Sequence, residues 1–310
     1  MPEVVQEDQA QSLGRKASYW RQALRRRVLN WFGAHARDLP WRRTSDPYRV
    51  WVSEVMLQQT QVATVVSYYE RFVARFPNVE TLARANEREV LKLWEGLGYY
   101  RRARQLHRTA KQVVENHGGE FPSDFESVLS LPGIGRYTAG AILSIAFDQR
   151  HPILEANTIR LLSRLVASRE DPASSAGTNS LWRLAEDLLP RKKVGDFNQA
   201  LMELGSEICS PRSPKCAECP VSNLCEVNRL GLQTEIPAAK TKTNYENVNE
   251  VAVVVWRGNR VLLRQCREDE RWAGLWDFLR FGVSDSGNRR RTFIAKTVAD
   301  WTGGFDRHHR

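Results

Sequence analysis

The stretch Leu131-Pro132-Gly133-Ile134-Gly135-Arg136-Tyr137-Thr138-Ala139-Gly140 constrains this chain more than any other, because it sets a glycine-rich turn directly against an apolar helix. Pro132, Gly133 and Gly135 permit a tight turn. The spacing of Ala139, Ile142, Leu143, Ile145 and Ala146 predicts a helix with one buried face. Amides at the start of that helix face outward, and unpaired N–H groups at the positive end of a helix dipole bind a phosphate without any side chain. The same spacing also fits an ordinary helix–turn–helix corner whose glycines serve packing alone.

An anionic partner agrees with the charge. Lys and Arg number 46 against 36 Asp and Glu, a formal charge of +10, which favours nucleic acid in a chain with no lipid signal. At 310 residues the chain is long for one core, and 42% hydrophobic and 26% charged residues exclude wholesale disorder. The first twenty residues mix Glu, Gln, Asp and Lys with no apolar segment. Residues 1–18 are therefore expected to form a flexible tail, neither signal peptide nor anchor. No run approaches the roughly eighteen apolar residues of a membrane span. The five cysteines are not spaced as a secreted disulfide framework. A reducing location follows: the cytoplasm, at the nucleoid if the source is bacterial, with no membrane partner and a monomeric state.

Helical spacing dominates up to about residue 230. A basic helix over 19–37 ends at Leu39-Pro40-Trp41-Arg42, and Asp46-Pro47 starts the next as cap and first turn. On that helix Glu54 sits among Trp51, Val52, Val55 and Met56, where lost hydration raises a carboxyl pKa and suits it to donate a proton; a surface glutamate is the alternative. Helical segments follow over 61–75, 81–85, 87–94, 101–117 and 124–129. Between two of them, Trp94 to Arg104 sets aromatics beside arginines on a glycine-flanked loop, a mixture suited to base stacking and phosphate contact, or to a core aromatic pair beside a solvated basic face. Glu155 follows an apolar run with Asn157 two residues on, either a carboxylate at a cleft or a helix-start acid stabilising the dipole. The stretch from 169 to 178 reads as a loop.

Cys209, Cys216, Cys219 and Cys225 follow the pattern C-x6-C-x2-C-x5-C in a loop rich in Pro and Ser. Four thiols so close in a reducing compartment indicate a metal site. A single C-x2-C with wider flanking gaps suits a cubane iron–sulfur cluster better than zinc, which tends to use two close pairs. Cys266 stands apart as an ordinary thiol. Residues 231–249 read as a linker. Beyond it, Val251 to Trp256 and Arg260 to Arg264 are β-type runs joined across Arg257-Gly258-Asn259, and a basic cluster lies at Arg289 to Arg291.

Ser53-Glu54-Val55-Met56-Leu57-Gln58-Gln59-Thr60-Gln61-Val62, Gly96-Leu97-Gly98-Tyr99-Tyr100, Leu131-Pro132-Gly133-Ile134-Gly135 and the four-cysteine loop occur in one order, and together they resemble the adenine DNA glycosylases of the MutY type within the helix-hairpin-helix superfamily. The resemblance runs from about residue 19 to 281. It implies a mainly α, two-lobed helical region over 19–230, including a six-helix lobe with the hairpin at 131–140 and an iron–sulfur loop at 209–225. After the 231–249 linker comes a small α/β domain over 250–310 that resembles an incomplete Nudix-like domain. It further implies a 4Fe–4S cluster on Cys209, Cys216, Cys219 and Cys225, and hydrolytic removal of adenine mispaired with 8-oxoguanine or guanine in double-stranded DNA. Glu54 falls on the family's catalytic glutamate, Tyr137 on an active-site tyrosine, Asn157 on an asparagine beside the second carboxylate, and Glu155 where the family has an aspartate. Trp41, Arg42 and Gln199 match the adenine pocket. Gln59, Thr60, Leu97 and Tyr99 match residues wedged around the opposite base, and Gly133 and Gly135 carry the phosphate-binding amides. Tyr137 stands where bifunctional relatives place a Schiff-base lysine, so a monofunctional glycosylase is expected. The family's Ser- and His-bearing loop that reads 8-oxoguanine does not appear, nor does the acidic box of a Nudix hydrolase. Two alternatives remain: a glycosylase for another mispaired base, and a catalytically weak DNA-binding homologue.

Overall fold

The computed structural model describes residues 2–238, 247–270, 272–282 and 288–302. The chain divides into two compact units, Met1–Lys240 and Thr241–Arg310. Of the stretch expected as a linker, 231–249, residues 239–246 lie outside the described residues.

Unit one is helical throughout. Its long first helix, α1 (Pro2–His35), carries helical backbone through 2–18, where the sequence predicted a tail. Those residues are mostly Gln, Glu, Ala, Ser, Lys and Arg, which tolerate a helix well. A short 3-10 turn at Pro40–Arg42 leads to α2 (Pro47–Leu57), started as the sequence predicts: the Asp46 carboxylate accepts from Tyr48 N at 2.8 Å and Arg49 N at 3.4 Å, with Pro47 in the first turn. Then come α3 (Val62–Arg75), α4 (Val79–Arg84), α5 (Glu87–Leu93), α6 (Arg101–His117), α7 (Phe125–Ser130) and α8 (Arg136–Phe147). These close around one core, which includes Trp51, Met56, Phe72, Trp94, Leu106 and Ile142.

A second core is built by α1 with α9 (Ala156–Leu165), α10 (Ser175–Leu188) and α11 (Val194–Glu207), and contains Leu24, Val28, Leu162, Leu188, Phe197 and Leu204; the short α12 (Glu226–Leu230) follows. One joint between the lobes is a side-chain cap. Asp148, just past α8, accepts from Lys193 N at 3.0 Å and from Val194 N, capping α11 with a side chain from the other lobe. Within the second lobe α11 lies so close to α9 that a Cβ on Gly205 would stand 2.8 Å from Asn157 Cβ and 2.9 Å from its carbonyl oxygen. Only glycine permits that approach.

Unit two pairs β1 (Glu250–Val253) antiparallel with a late strand. Next, β2 (Trp256–Arg257) and β3 (Arg260–Val261) form the hairpin expected around Gly258, whose φ of 59° suits it to a two-residue turn. Strands β4 (Arg264–Gln265) and β5 (Trp276–Asp277) pair with each other, β6 (Leu279–Gly282) is the partner of β1, and α13 (Asn288–Thr302) follows. The long β runs read from sequence are thus broken into two- to four-residue strands.

Candidate active site

Between the two cores lies a solvent-open cleft. The first lobe contributes Glu54 from α2 and Tyr137 from α8, and the second contributes Glu155, Asn157, Gln199, Met202 and Glu203 from the starts or faces of α9 and α11. Glu54 is 5% exposed, and the Tyr137 hydroxyl donates to its Oε2 at 2.7 Å while lying 3.3 Å from Met202 Sδ. Burial pushes the Glu54 carboxyl up to about 7; the Tyr137 hydrogen bond opposes that shift, and the nearby Glu155 charge adds to it. Near neutrality such a carboxyl holds a proton and can give it away.

Glu155 is the N-cap of α9. Its Oε2 accepts from Asn157 N at 2.9 Å and Asn157 Nδ2 at 3.2 Å, and its Oε1 accepts from Thr158 N at 2.9 Å. Thr158 Oγ1 in turn accepts from Glu155 N at 2.8 Å, completing a capping box. The helix-start role and the cleft-facing role, alternatives in sequence, are held by one carboxylate. Its longer side chain folds back onto its own helix. Asn157 is locked by a second route, because Arg160 Nη2 donates to its Oδ1 at 2.9 Å while Arg160 Nε reaches Cys209 O at 2.7 Å.

Trp41, Arg42 and Gln199, matched to the adenine pocket, all line this cleft. Sequence reasoning missed its most strongly charged feature. Glu203, 1% exposed, accepts from Arg37 Nε at 2.8 Å, Arg37 Nη2 at 2.6 Å and Arg42 Nη2 at 2.7 Å. Burial alone would raise its pKa, but the arginine hydrogen bonds overrule that and hold it down at about 2. An acid inside the apolar run Phe197, Ala200, Leu201, Leu204 is the same kind of cue that singled out Glu54.

The hairpin sits at the start of α8, where Gly133 has φ 76° and Gly135 is an N-cap with no side chain bonded to the first-turn amides. Thr109 Oγ1 braces the turn by donating to Pro132 O at 2.6 Å. Of the residues matched to the opposite base, Thr60 lines the cleft, and Gln59 and Tyr99 are exposed with φ of 56° and 48°. Leu97 is 6% exposed and belongs to the first core, so its side chain offers no free surface here. Arg102, read from sequence as part of a basic loop, is instead buried.

Cys209, Cys216, Cys219 and Cys225 line one cavity with Leu161, Ile208, Val221 and Val227. Among the described residues no three His, Cys, Asp or Glu side chains converge as a single-ion site. Four sulfurs spread around an apolar cavity suit a cluster that takes one thiolate per iron. The buried Arg164 braces the loop, with Nη1 3.4 Å from Cys209 Sγ and donating to Ser210 O at 2.8 Å, and with Nη2 donating to Pro211 O at 3.0 Å.

Residues 52–187 match the HhH-GPD superfamily of base excision DNA repair proteins, and residues 209–225 match the iron–sulfur binding domain of endonuclease III. An adenine DNA glycosylase of Buchnera aphidicola subsp. Schizaphis graminum is 37% identical over 82% of this chain and 74% of its own length. The adenine DNA glycosylase of Rattus norvegicus is 49% identical over 67% of this chain, which spans only 42% of that relative. The chain thus covers under half the length of such mammalian relatives. A thermostable thymine-DNA glycosylase structure superposes with a TM-score of 0.64 at 32% identity, covering 69% of this chain and 99% of the other. No described helix is long and apolar enough to cross a membrane.

Proposed function

Because this chain belongs to the adenine DNA glycosylase family, within the HhH-GPD superfamily of base excision DNA repair proteins, we propose that it hydrolyses the N-glycosidic bond of adenine mispaired with 8-oxoguanine or guanine in duplex DNA. One observation carries the reading: a buried Glu54 poised to hold a proton near neutrality, hydrogen-bonded to Tyr137, shares a cleft with a second, rigidly held carboxylate on Glu155. Two carboxyl groups in unlike settings are what glycoside hydrolysis requires.

The target base cannot react inside the stack, so it is swung out into the cleft while amides around Gly133 and Gly135 hold a backbone phosphate. Trp41, Arg42 and Gln199 bound the base. With Oε2 occupied by the tyrosine hydroxyl, Glu54 delivers its proton from Oε1 to a ring nitrogen of adenine. The bond from the base to the sugar breaks as positive charge grows on the sugar ring, and the Glu155 carboxylate, fixed by three N–H donors, offsets it. Water adds to the sugar carbon and returns a proton to Glu54. With Tyr137 and not lysine at the hairpin helix, no amine is in place there for a Schiff base, so excision proceeds without strand cleavage. Cys209, Cys216, Cys219 and Cys225 would hold a 4Fe–4S cluster, which would close the loop 209–225 by ligation.

Single-turnover excision on three duplexes tests the proposal: adenine opposite 8-oxoguanine, adenine opposite guanine, and thymine opposite guanine. Release of adenine from the first two is the expected result. Release of thymine alone would favour a second reading, motivated by the likeness to a thymine-DNA glycosylase structure. Binding without release would indicate a catalytically weak homologue.

A further inference from the structure

Arg102, the second residue of α6, is 9% exposed, and its guanidinium is held between three segments of the first lobe. Nη1 faces the end of α2, donating to Val55 O at 3.0 Å, to Met56 O at 3.0 Å and to Gln58 O. Nη2 lies 3.1 Å from Thr60 Oγ1, 3.3 Å from Leu97 O and 3.3 Å from Gly98 O. The cation also lies over the rings of Trp94 and Tyr99, at 5.5 and 5.4 Å from their centroids.

The acceptors explain why a charge is tolerated there. Val55, Met56 and Gln58 supply carbonyls from the last turn of α2, which have no partner within their own helix and mark the negative end of its dipole. The same helix carries Glu54, the residue next to Val55. The remaining acceptors belong to the two turns in which Gln59 and Tyr99 adopt left-handed backbone, at φ 56° and 48°. A non-glycine residue held so is strained and persists only where its surroundings fix it. A planar fork is suited to hold both turns at once, whereas an ammonium is a single point.

We propose that Arg102 is a positioning residue that ties the two turns meeting the opposite base, Gln59–Thr60 and Leu97–Tyr99, to the end of the helix bearing Glu54, so that the fit of the opposite base sets the placement of the proton donor. This rests on the adenine-excision reading given above. Tyr99 acts on Glu54 through this guanidinium. A purely structural arginine would lower excision equally for every duplex; this one sets the difference between duplexes.

The experiment is a double-mutant cycle with Arg102→Lys, Tyr99→Ala and the pair. Two quantities are read on duplexes with adenine opposite 8-oxoguanine or guanine: single-turnover excision, and affinity for the same duplexes carrying a non-cleavable 2′-fluoro adenosine. Arg102→Lys is expected to remain folded, to lose roughly tenfold or more in excision, and to respond less than the parent to the opposite base. The pair is expected to be no slower than the slower single variant, since both changes cut one link. Losses that multiply, with the parent's opposite-base dependence intact, would overturn the proposal. If Arg102→Lys does not fold, Thr60→Val removes one acceptor of the fork and must show the same non-additivity with Tyr99→Ala, or the proposal fails. Absence of excision by the parent would overturn the functional reading instead, and the affinity cycle would still decide the role of Arg102.

Discussion

Tyr137 and Glu54, 83 positions apart in sequence, meet on the first lobe's wall of the cleft through one hydrogen bond of 2.7 Å from Oη to Oε2. The bond both orients the carboxyl and draws its pKa down against the larger effect of burial, which leaves it at about 7. The proton is present below that value and lost above it. Excision is therefore expected to fall as pH rises through about 7, and Tyr137→Phe is expected to move that falling limb to higher pH while lowering the maximum rate. Single-turnover rates across pH 5 to 9 check both effects; a flat profile would remove Glu54 as the acid.

Glu54→Gln should keep DNA binding and abolish excision. It should also alter stability in a defined pH window. Because the folded carboxyl titrates near 7 and the unfolded one near 4.5, the unfolded chain gains charge first as pH rises, so the parent loses stability between those values. The glutamine variant is spared that loss, by at most about 3 kcal/mol. Melting temperatures should favour the variant at pH 8 and converge toward pH 4.

At Glu155, aspartate preserves both the charge and a good N-cap, whereas glutamine removes the charge. Glu155→Asp is expected to leave excision equal or higher. Glu155→Gln should lose most of it, on the order of a hundredfold, with α9 still formed. Parent-like excision by the glutamine variant would show that the mechanism rests on Glu54 alone.

The purified protein should be brown and contain about four iron atoms. Cys216→Ser should weaken cluster retention and DNA affinity, and Arg164→Met should act in the same direction by releasing the carbonyls that shape the loop. Iron analysis and visible absorbance are the measurements, and stoichiometric zinc without colour would exclude the cluster.

Features with local causes were legible in the sequence. The Asp46-Pro47 start of α2, the acid in an apolar face at Glu54, the hairpin and the cysteine spacing each depend on residues a few positions apart. Glu203 with Arg37 and Arg42 escaped because its partners lie 166 and 161 positions away, and no local pattern encodes such a pairing. Arg102 was misread for a related reason: a basic residue beside aromatics looks the same from sequence whether it faces phosphate or a ring of carbonyls. At Glu155 the Glu-Ala-Asn-Thr stretch does carry a capping box, with the acid at the cap and the hydroxyl three residues later.

The core of the first lobe draws on one continuous span, Leu39 to Leu143, whereas the second joins Leu24, Val28 and Phe32 of α1 to residues between Leu154 and Val221. A ribosome therefore releases all of the first core before the other half of the second exists, and lobes of this kind fold as their residues emerge. The first helix must wait, its apolar stripe uncovered, until α11 has been made. Glu54 and Tyr137 are in place early, but the cleft gains Glu155 and then Glu203 only as α9 and α11 arrive. One wall of the cleft is thus built from the early half of the chain, and the other is added to it afterwards.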